Sequence, residues 1–328
     1  MNAERPAALV GAYAALPSPR VEQERFYEGL AGRGIADGLE IPYHDGLGED
    51  ARRLAAQMRG RFTRSVITLI PGTMARVGAS GTFGLASADH DGRRAAIEFL
   101  REARIAAEEL NQLTAEQSVS VIHIHTAPST TAVAQMFARS LDEIAASAPA
   151  AGAWSTRLVL EHCDAYAQAF PGEKRFLPLE DEIPLAHAGG IGIAINWGRS
   201  AIEAQDPGRP LAQITRLASE GLLEGVMFSG AGPTANEYGG PWADAHLPLT
   251  EDEPTSLMDA DEVRRCLRAA QGAISYAGAK IQAPADATVD ERLAMLGRVM
   301  RLLPERAAAG TAPTSAEAST SAGASATL

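Results

Sequence analysis

Glu161 ends the apolar run Arg157-Leu-Val-Leu and is followed by His162-Cys163-Asp164. An unpaired carboxylate on such a buried strand would cost several kcal/mol, so the residue must be paired, protonated or bound to a metal. A metal ligand or a general base is one reading; an ion pair, with Arg199 as the obvious partner, is the other. His123 and His125 stand two apart in an apolar run, so both side chains share one face of a strand. There they could ligate a metal or shuttle protons, or one could simply pack and hydrogen-bond in the core. Lys280 sits in the last apolar segment. It could pair with Glu161 or Glu40, or carry a depressed pKa and form a Schiff base.

A second set of polar residues follows other apolar runs. Asn196 could hold a substrate hydroxyl, Arg199 offers a planar fork for a carboxylate or phosphate, and Ser200 reads as a helix cap. After Phe228-Ser229-Gly230 comes a long polar stretch with Glu237, Tyr238, Trp242, Asp244 and His246. Asp244-x-His246 could supply oxygen and nitrogen ligands to a divalent ion, or be a lid contact or a surface cluster. Asp89-His90-Asp91 looks similar but precedes a helix, where acids are expected on electrostatic grounds. Cys163 adjoins His162, yet neighbours on a strand face opposite ways, so the two make no nucleophile pair.

These residues need elements to hold them. Apolar runs predict eight strands, at 8–15, 38–43, 65–70, 119–125, 157–161, 190–196, 225–229 and 274–281. Between them, amphipathic spacing predicts helices at 22–33, 49–60, 92–117, 131–147, 200–220, 260–272 and 289–303, with a weaker one at 177–187 that Pro178 and Pro184 interrupt. Strands alternating with helices make a parallel sheet. No G-x-G-x-x-G follows the first strand, and eight units in this length favour a closed TIM-type (β/α)8 barrel. In that fold the reacting groups stand at the C-terminal strand ends. Glu40, His125, Glu161, Asn196, Ser229 and Lys280 all fall there, and the strand starts carry no comparable set.

Composition bounds the rest. The chain has 328 residues, of which 46% are hydrophobic, enough for a large core. Acids outnumber bases 41 to 29, which argues against binding a nucleic-acid backbone. No apolar stretch reaches membrane-spanning length, and the N-terminus lacks a signal-peptide pattern. The two cysteines fit no metal spacing and suit a reducing cytoplasm. The expected organisation is a barrel over residues 7–305 and a disordered Ala/Ser/Thr-rich tail over 306–328.

The segments 38–42 (GLEIP), 70–74 (IPGTM), 83–87 (FGLAS), 161–165 (EHCDA), 196–200 (NWGRS), 228–230 (FSG) and 276–280 (YAGAK) resemble the xylose-isomerase-like TIM barrels, and more closely a bacterial branch of them described only as a domain of unknown function. The resemblance implies a divalent-metal site with two Glu, an Asp and a His from the later strands. Glu161 matches the first Glu by position. Asn196 stands near where an acid is expected, and Lys280 where the second Glu is. The resulting expectation is a sugar isomerase or epimerase. Glu161 takes the proton next to a carbonyl and His125 relays protons. Lys280 with Arg199, or an Mn2+ or Mg2+ ion on Glu161, His125, His246 and Asp244, holds the enediolate. Glu40, Asn196, Arg199 and Ser229 bind substrate, and Trp197 and Trp242 stack on the sugar. The alternatives are a metal-dependent hydrolase or phosphoesterase and a non-catalytic sugar-binding barrel. The expected partner is a small carbohydrate, with no nucleic acid and no membrane, and related barrels are often homo-oligomers.

Overall fold

The computed structural model describes residues 5–47, 51–147, 153–167, 169–170 and 172–303. The expected tail, and the expected helix start at Glu49, lie outside the described residues. Eight strands pair in parallel in chain order and close on themselves: β1 (Ala7–Val10), β2 (Gly38–Pro42), β3 (Ser65–Thr68), β4 (Val119–Ile124), β5 (Arg157–His162), β6 (Gly192–Asn196), β7 (Leu223–Phe228) and β8 (Tyr276–Ala279). The seam is the β1–β8 pairing, with Leu9 opposite Gly278. This is the (β/α)8 barrel that the alternating runs predict.

The period of two along a strand explains what fills the barrel. Ala7, Leu9, Val66, Val121, Val159, Ala194, Met227 and Tyr276 form one apolar cluster that plugs its lower half. Two residues further along each strand the same inward face carries Gly11, Thr68, His123, Glu161, Asn196, Ser229 and Gly278, with Glu40 on β2; His125 and Lys280 follow on β4 and β8. An apolar floor thus supports a polar mouth. The outward positions, among them Leu39, Ile67, Ile122, Leu160, Ile195 and Phe228, join the helices in the main core. Each such side chain contributes about 1.5–3 kcal/mol when fully buried.

The helices are α1 (Arg20–Gly32), α2 (Ala51–Met58), α3 (Ile70–Ser80), α4 (His90–Thr114), α5 (Ala134–Ala146), α6 (Leu179–Gly189), α7 (Trp197–Ala204), α8 (Arg209–Ser219), α9 (Ala260–Ala269) and α10 (Val289–Met300), with a short 3-10 turn at Ala12–Ala14. Two expectations fail. The third strand is expected to run to residue 70 with no helix between it and residue 92, yet α3 starts at Ile70, where a first-turn proline at 71 lacks no hydrogen bond the helix needs. The single helix expected at 200–220 is two, because Pro207-Gly208 interrupts it. The weak helix forms as α6 despite Pro184 in its interior. Asp89 caps α4, its Oδ1 accepting from the Gly92 N–H at 2.7 Å, as the structural reading of that acidic triplet requires.

At the seam, a Cβ on Gly278 would lie 2.2 Å from the Leu9 carbonyl oxygen. Gly278→Ala should therefore lower the unfolding free energy by about 1–3 kcal/mol in urea titrations. Gly32→Ala, where a Cβ meets nothing within 4 Å, should be neutral or stabilise by about 0.5 kcal/mol. Equal effects would mean that the seam is not tightly packed.

Candidate active site

Three buried carboxylates organise the mouth. Glu40, from β2, takes the Lys280 ammonium on Oε1 at 2.8 Å and the Tyr13 hydroxyl on the same oxygen at 3.0 Å. Glu161, from β5, has Arg199 Nη1 2.7 Å from Oε1; its Oε2 accepts from Thr68 at 3.2 Å and lies 2.8 Å from His125 Nε2. Asp244, from the loop after β7, meets Lys174 Nζ at 3.0 Å and Arg199 Nε at 3.1 Å on Oδ2. His246 Nδ1 lies 3.2 Å from Asp244 Oδ1 and 2.9 Å from the Ser229 hydroxyl.

These positions follow from local sequence. Asn196 ends β6 and caps α7 by accepting the Arg199 N–H at 3.3 Å, so the helix begins at the strand end and Arg199 is carried across the mouth. Ser200 therefore sits inside α7 and is not its cap. Lys280 follows β8 directly, and its chain lies over Gly11: a Cβ there would stand 2.9 Å from Lys280 Cβ and Cγ.

Burial and these charges set the protonation states. Burial raises the Glu161 carboxyl, but Arg199, Lys280 and the His125 hydrogen bond outweigh it and hold the group well below the usual carboxylate range. Burial likewise opposes Asp244, and Lys174 and Arg199 keep it ionised. Burial lowers His125 to about 4 against the pull of Glu161, so its imidazole is neutral at neutral pH. With Glu161 ionised, Nε2 carries the hydrogen and Nδ1 is a free lone pair. Burial also lowers His123, whose Nε2 lies 2.7 Å from the Tyr276 hydroxyl. Burial pushes the Cys163 thiol up, which removes it as a nucleophile.

Several buried atoms here lack a hydrogen-bond partner: Glu40 Oε2, His123 Nδ1, His125 Nδ1, Glu161 Oε1, Asn196 Nδ2 and Asp244 Oδ1. Buried polar groups are nearly always satisfied in folded proteins. A cavity of about 480 Å³ reaches this place between the ends of β1 and β2 and helices α1 and α2. Tyr13 and Glu40 line it, with Leu16, Tyr27, Leu47 and Leu54 around them.

The expected residues divide. Glu40, His125, Glu161, Arg199 and Lys280 are joined by direct contacts or one another's fields, and Asp244, His246 and Ser229 extend the same network. Trp197 does not join: α7 starts at that residue and turns the indole into the helix-side core, fully buried. Trp242 is half-buried in the loop after β7 and does not line the cavity. Tyr13, Thr68, Lys174 and Tyr276 belong to the site and were not anticipated. Thr68 and Tyr276 were findable by counting in twos along β3 and β8.

The ligating residues group differently from the expected His125, Glu161, Asp244 and His246. Among the described residues, Glu40, His123 and Glu161 offer donor atoms within 4.8 Å of one another, a buried group that could hold a metal ion. His123 Nδ1 and Glu40 Oε2 are unspent, which suits such an ion. Yet both carboxylates already carry a fixed cation, so a dication there would add uncompensated positive charge to a dry site.

The profile of a family described as "Domain of unknown function (DUF4862)" matches residues 9–295. The chain belongs to that family. The uncharacterized protein STM3670 of Salmonella typhimurium is 33% identical to this DUF4862 chain over 301 residues, covering 88% of it and 94% of the relative. Among solved structures, a xylose isomerase-like TIM barrel/4-hydroxyphenylpyruvate dioxygenase fusion protein aligns with TM-score 0.56 at 12% identity over 89% of this chain; the chain spans 41% of that protein. A D-allulose 3-epimerase from Methylomonas sp. aligns with TM-score 0.55 at 12% identity, covering 92% of this chain and 98% of that one. An AP endonuclease, family 2, from Brucella melitensis aligns with TM-score 0.52 at 13% identity over 88% and 96%. Sugar epimerases and endonucleases thus share the (β/α)8 architecture with this DUF4862 chain.

Behind the mouth, on the outer face of β5, His162 lies between two carboxylates, 2.6 Å from Glu182 and 2.9 Å from Glu203. Burial alone would lower His162, but the two acids outweigh it and raise the group to about 10. A histidine raised in the fold contributes stability that is complete below its unfolded pKa of about 6.5 and is lost as pH climbs through about 10. The unfolding free energy should accordingly fall by a few kcal/mol between neutral pH and pH 10. His162→Gln should lose about 3–5 kcal/mol at pH 7 and show a flatter profile there. Parallel profiles for the two proteins would place the titration elsewhere.

Proposed function

We propose that the barrel mouth binds a polyhydroxylated carbonyl compound and moves a proton on and off the carbon beside the carbonyl, making the chain a sugar isomerase or epimerase. The observation that carries this reading is Glu40 Oε2, a buried carboxylate oxygen without a partner on a residue that lines a cavity, in a barrel mouth where His123, His125 and Asn196 also carry unpartnered polar atoms. A polyol with a carbonyl supplies the complementary hydroxyls and oxygen, and its binding would satisfy groups that are costly to leave bare.

The roles follow from what each residue is already doing. Glu161 is clamped by Arg199, His125 and Thr68 and held ionised, which makes it a weak base and a good anchor. Glu40 keeps a free oxygen and faces the cavity, so it is the better base for the proton next to the carbonyl. This moves the proton-abstracting role from Glu161, where strand position alone put it, to Glu40. Lys280, 2.8 Å from Glu40, holds the oxygen on which negative charge develops, with Arg199 adding to the positive field. His125, backed by Glu161 and open at Nδ1, relays protons between substrate oxygens. Asn196 Nδ2 donates to a hydroxyl. A metal-dependent hydrolase or phosphoesterase would need several His and acids around two or three ions; the described residues gather one three-donor group, which favours proton transfer.

The test is incubation with a panel of ketoses and aldoses in deuterated water, following label at the carbon beside the carbonyl by NMR. Uptake from at least one sugar is expected, and Glu40→Gln should slow it about a hundredfold or more while the circular dichroism spectrum is kept. Binding of a sugar without any exchange would leave a sugar-binding barrel and end the isomerase reading.

A further inference from the structure

The chain carries 29 Lys and Arg, and only two of these, Lys174 and Lys280, are lysine. Both are buried in the same network, Lys174 on Asp244 and Lys280 on Glu40. The other 27 of these are arginines, at the surface and in the core alike. A guanidinium is a wide planar fork, whereas an ammonium is a compact point charge. The Lys280 side-chain stem is laid against Gly11 so closely that a single added Cβ there would meet it at 2.9 Å.

Among the buried groups of the network the charges match, with the more exposed Glu173 an additional contact of Lys174. Glu40, Glu161 and Asp244 contribute three negative groups, and Lys280, Arg199 and Lys174 three positive ones. The Lys280 ammonium stands 2.8 Å from an oxygen of one of the three side chains that could ligate a metal. A dication bound to Glu40 would sit within a few ångström of that ammonium, in surroundings too dry to screen the repulsion.

We propose that Lys280 is the resident cation of this site and keeps a divalent ion out of the Glu40–His123–Glu161 group, so that the ammonium supplies the positive charge the reaction centre needs. Removing that charge turns the mouth into a metal site: Glu40 is released, and with His123 Nδ1 and Glu161 it offers three converging donors. The inference rests on the isomerase reading only for what the ammonium is used for; the occupancy of the site is measured without any substrate.

The experiment is titration of the full-length protein with Mn2+ at neutral pH, read by the loss of the free-ion electron paramagnetic resonance signal. The wild-type protein is expected to show no tight site. Lys280→Met is expected to bind one Mn2+ per chain at least about tenfold more tightly than the wild type. Lys280→Arg, which keeps the charge, is expected to gain nothing, and adding His123→Ala to the Met variant should abolish the gain. One tightly held Mn2+ in the wild-type protein overturns the proposal, and this titration decides even if a variant fails to fold. So does a Met variant that folds and binds no better than wild type. A failed deuterium panel with this pattern intact would sink the isomerase reading alone. Deuterium uptake with tight wild-type Mn2+ binding would sink the Lys280 proposal alone.

Discussion

Charge held away from water must be answered by charge of the opposite sign, and the mouth of this barrel is built around that requirement. Glu40, Glu161 and Asp244 are each nearly or wholly removed from solvent, and each is met by a cation from a different segment: the end of β8, the start of α7 and the loop after β5. Breaking one such pair leaves a bare buried charge at a cost of about 3–5 kcal/mol. The loops are thereby tied to the strands they cross. Arg199 bridges Glu161 to Asp244, so the loop after β7 is fixed to β5. Lys174 and Glu173 fasten the loop after β5 to the same Asp244, through its carboxylate and its backbone N–H.

The apolar floor beneath makes this possible. Leu9, Val66, Val121, Val159 and Met227 exclude water from below and lower the local dielectric, which strengthens every pairing above them. The same burial explains the opposite fates of two histidine sites on adjacent strands. His125 faces inward beside one carboxylate whose charge is already spent on Arg199, and desolvation wins, leaving it neutral. His162 faces outward between two carboxylates, and their combined attraction wins, leaving it charged. One acid more or less decides the sign.

Much of the architecture was legible because the barrel strands are buried on both faces and read as unbroken apolar runs. What was not legible depended on how a run ends. Strand β6 passes into α7 with no loop, so the inward sequence stops at Asn196 and Trp197 turns outward; a strand-end tryptophan looks the same in sequence whichever way it turns. Pro71 and Pro207 are the same residue with opposite outcomes, one opening α3 and the other separating two helices, because proline suits a first turn and is disfavoured beyond it, although α6 accommodates Pro184. At the site, the inward parity of Glu40, His123, His125, Glu161 and Lys280 was readable from single strands. Which of them pair was not, since the partners of Glu40 and Asp244 lie 240 and 70 positions away and are chosen by closure of the barrel.

That closure also bears on how the reaction centre divides its labour. Glu40 and Glu161 are both inward carboxylates at strand ends, and nothing in their local sequence ranks them. The structure does, through what each has left to offer. Glu161 pairs electrostatically with Arg199 at Oε1, which has no hydrogen bond, and holds His125 and Thr68 on Oε2. Glu40 has spent one oxygen, on the Lys280 ammonium and the Tyr13 hydroxyl, and its other oxygen has no partner. An oxygen without a partner can take a proton without giving one up, and Glu40 offers such an oxygen on a residue that lines the cavity. In the proposed isomerase reading, proton transfer would fall on the β1–β2 side of the mouth, where the cavity also lies, with the β5–β6 side as the frame opposite it.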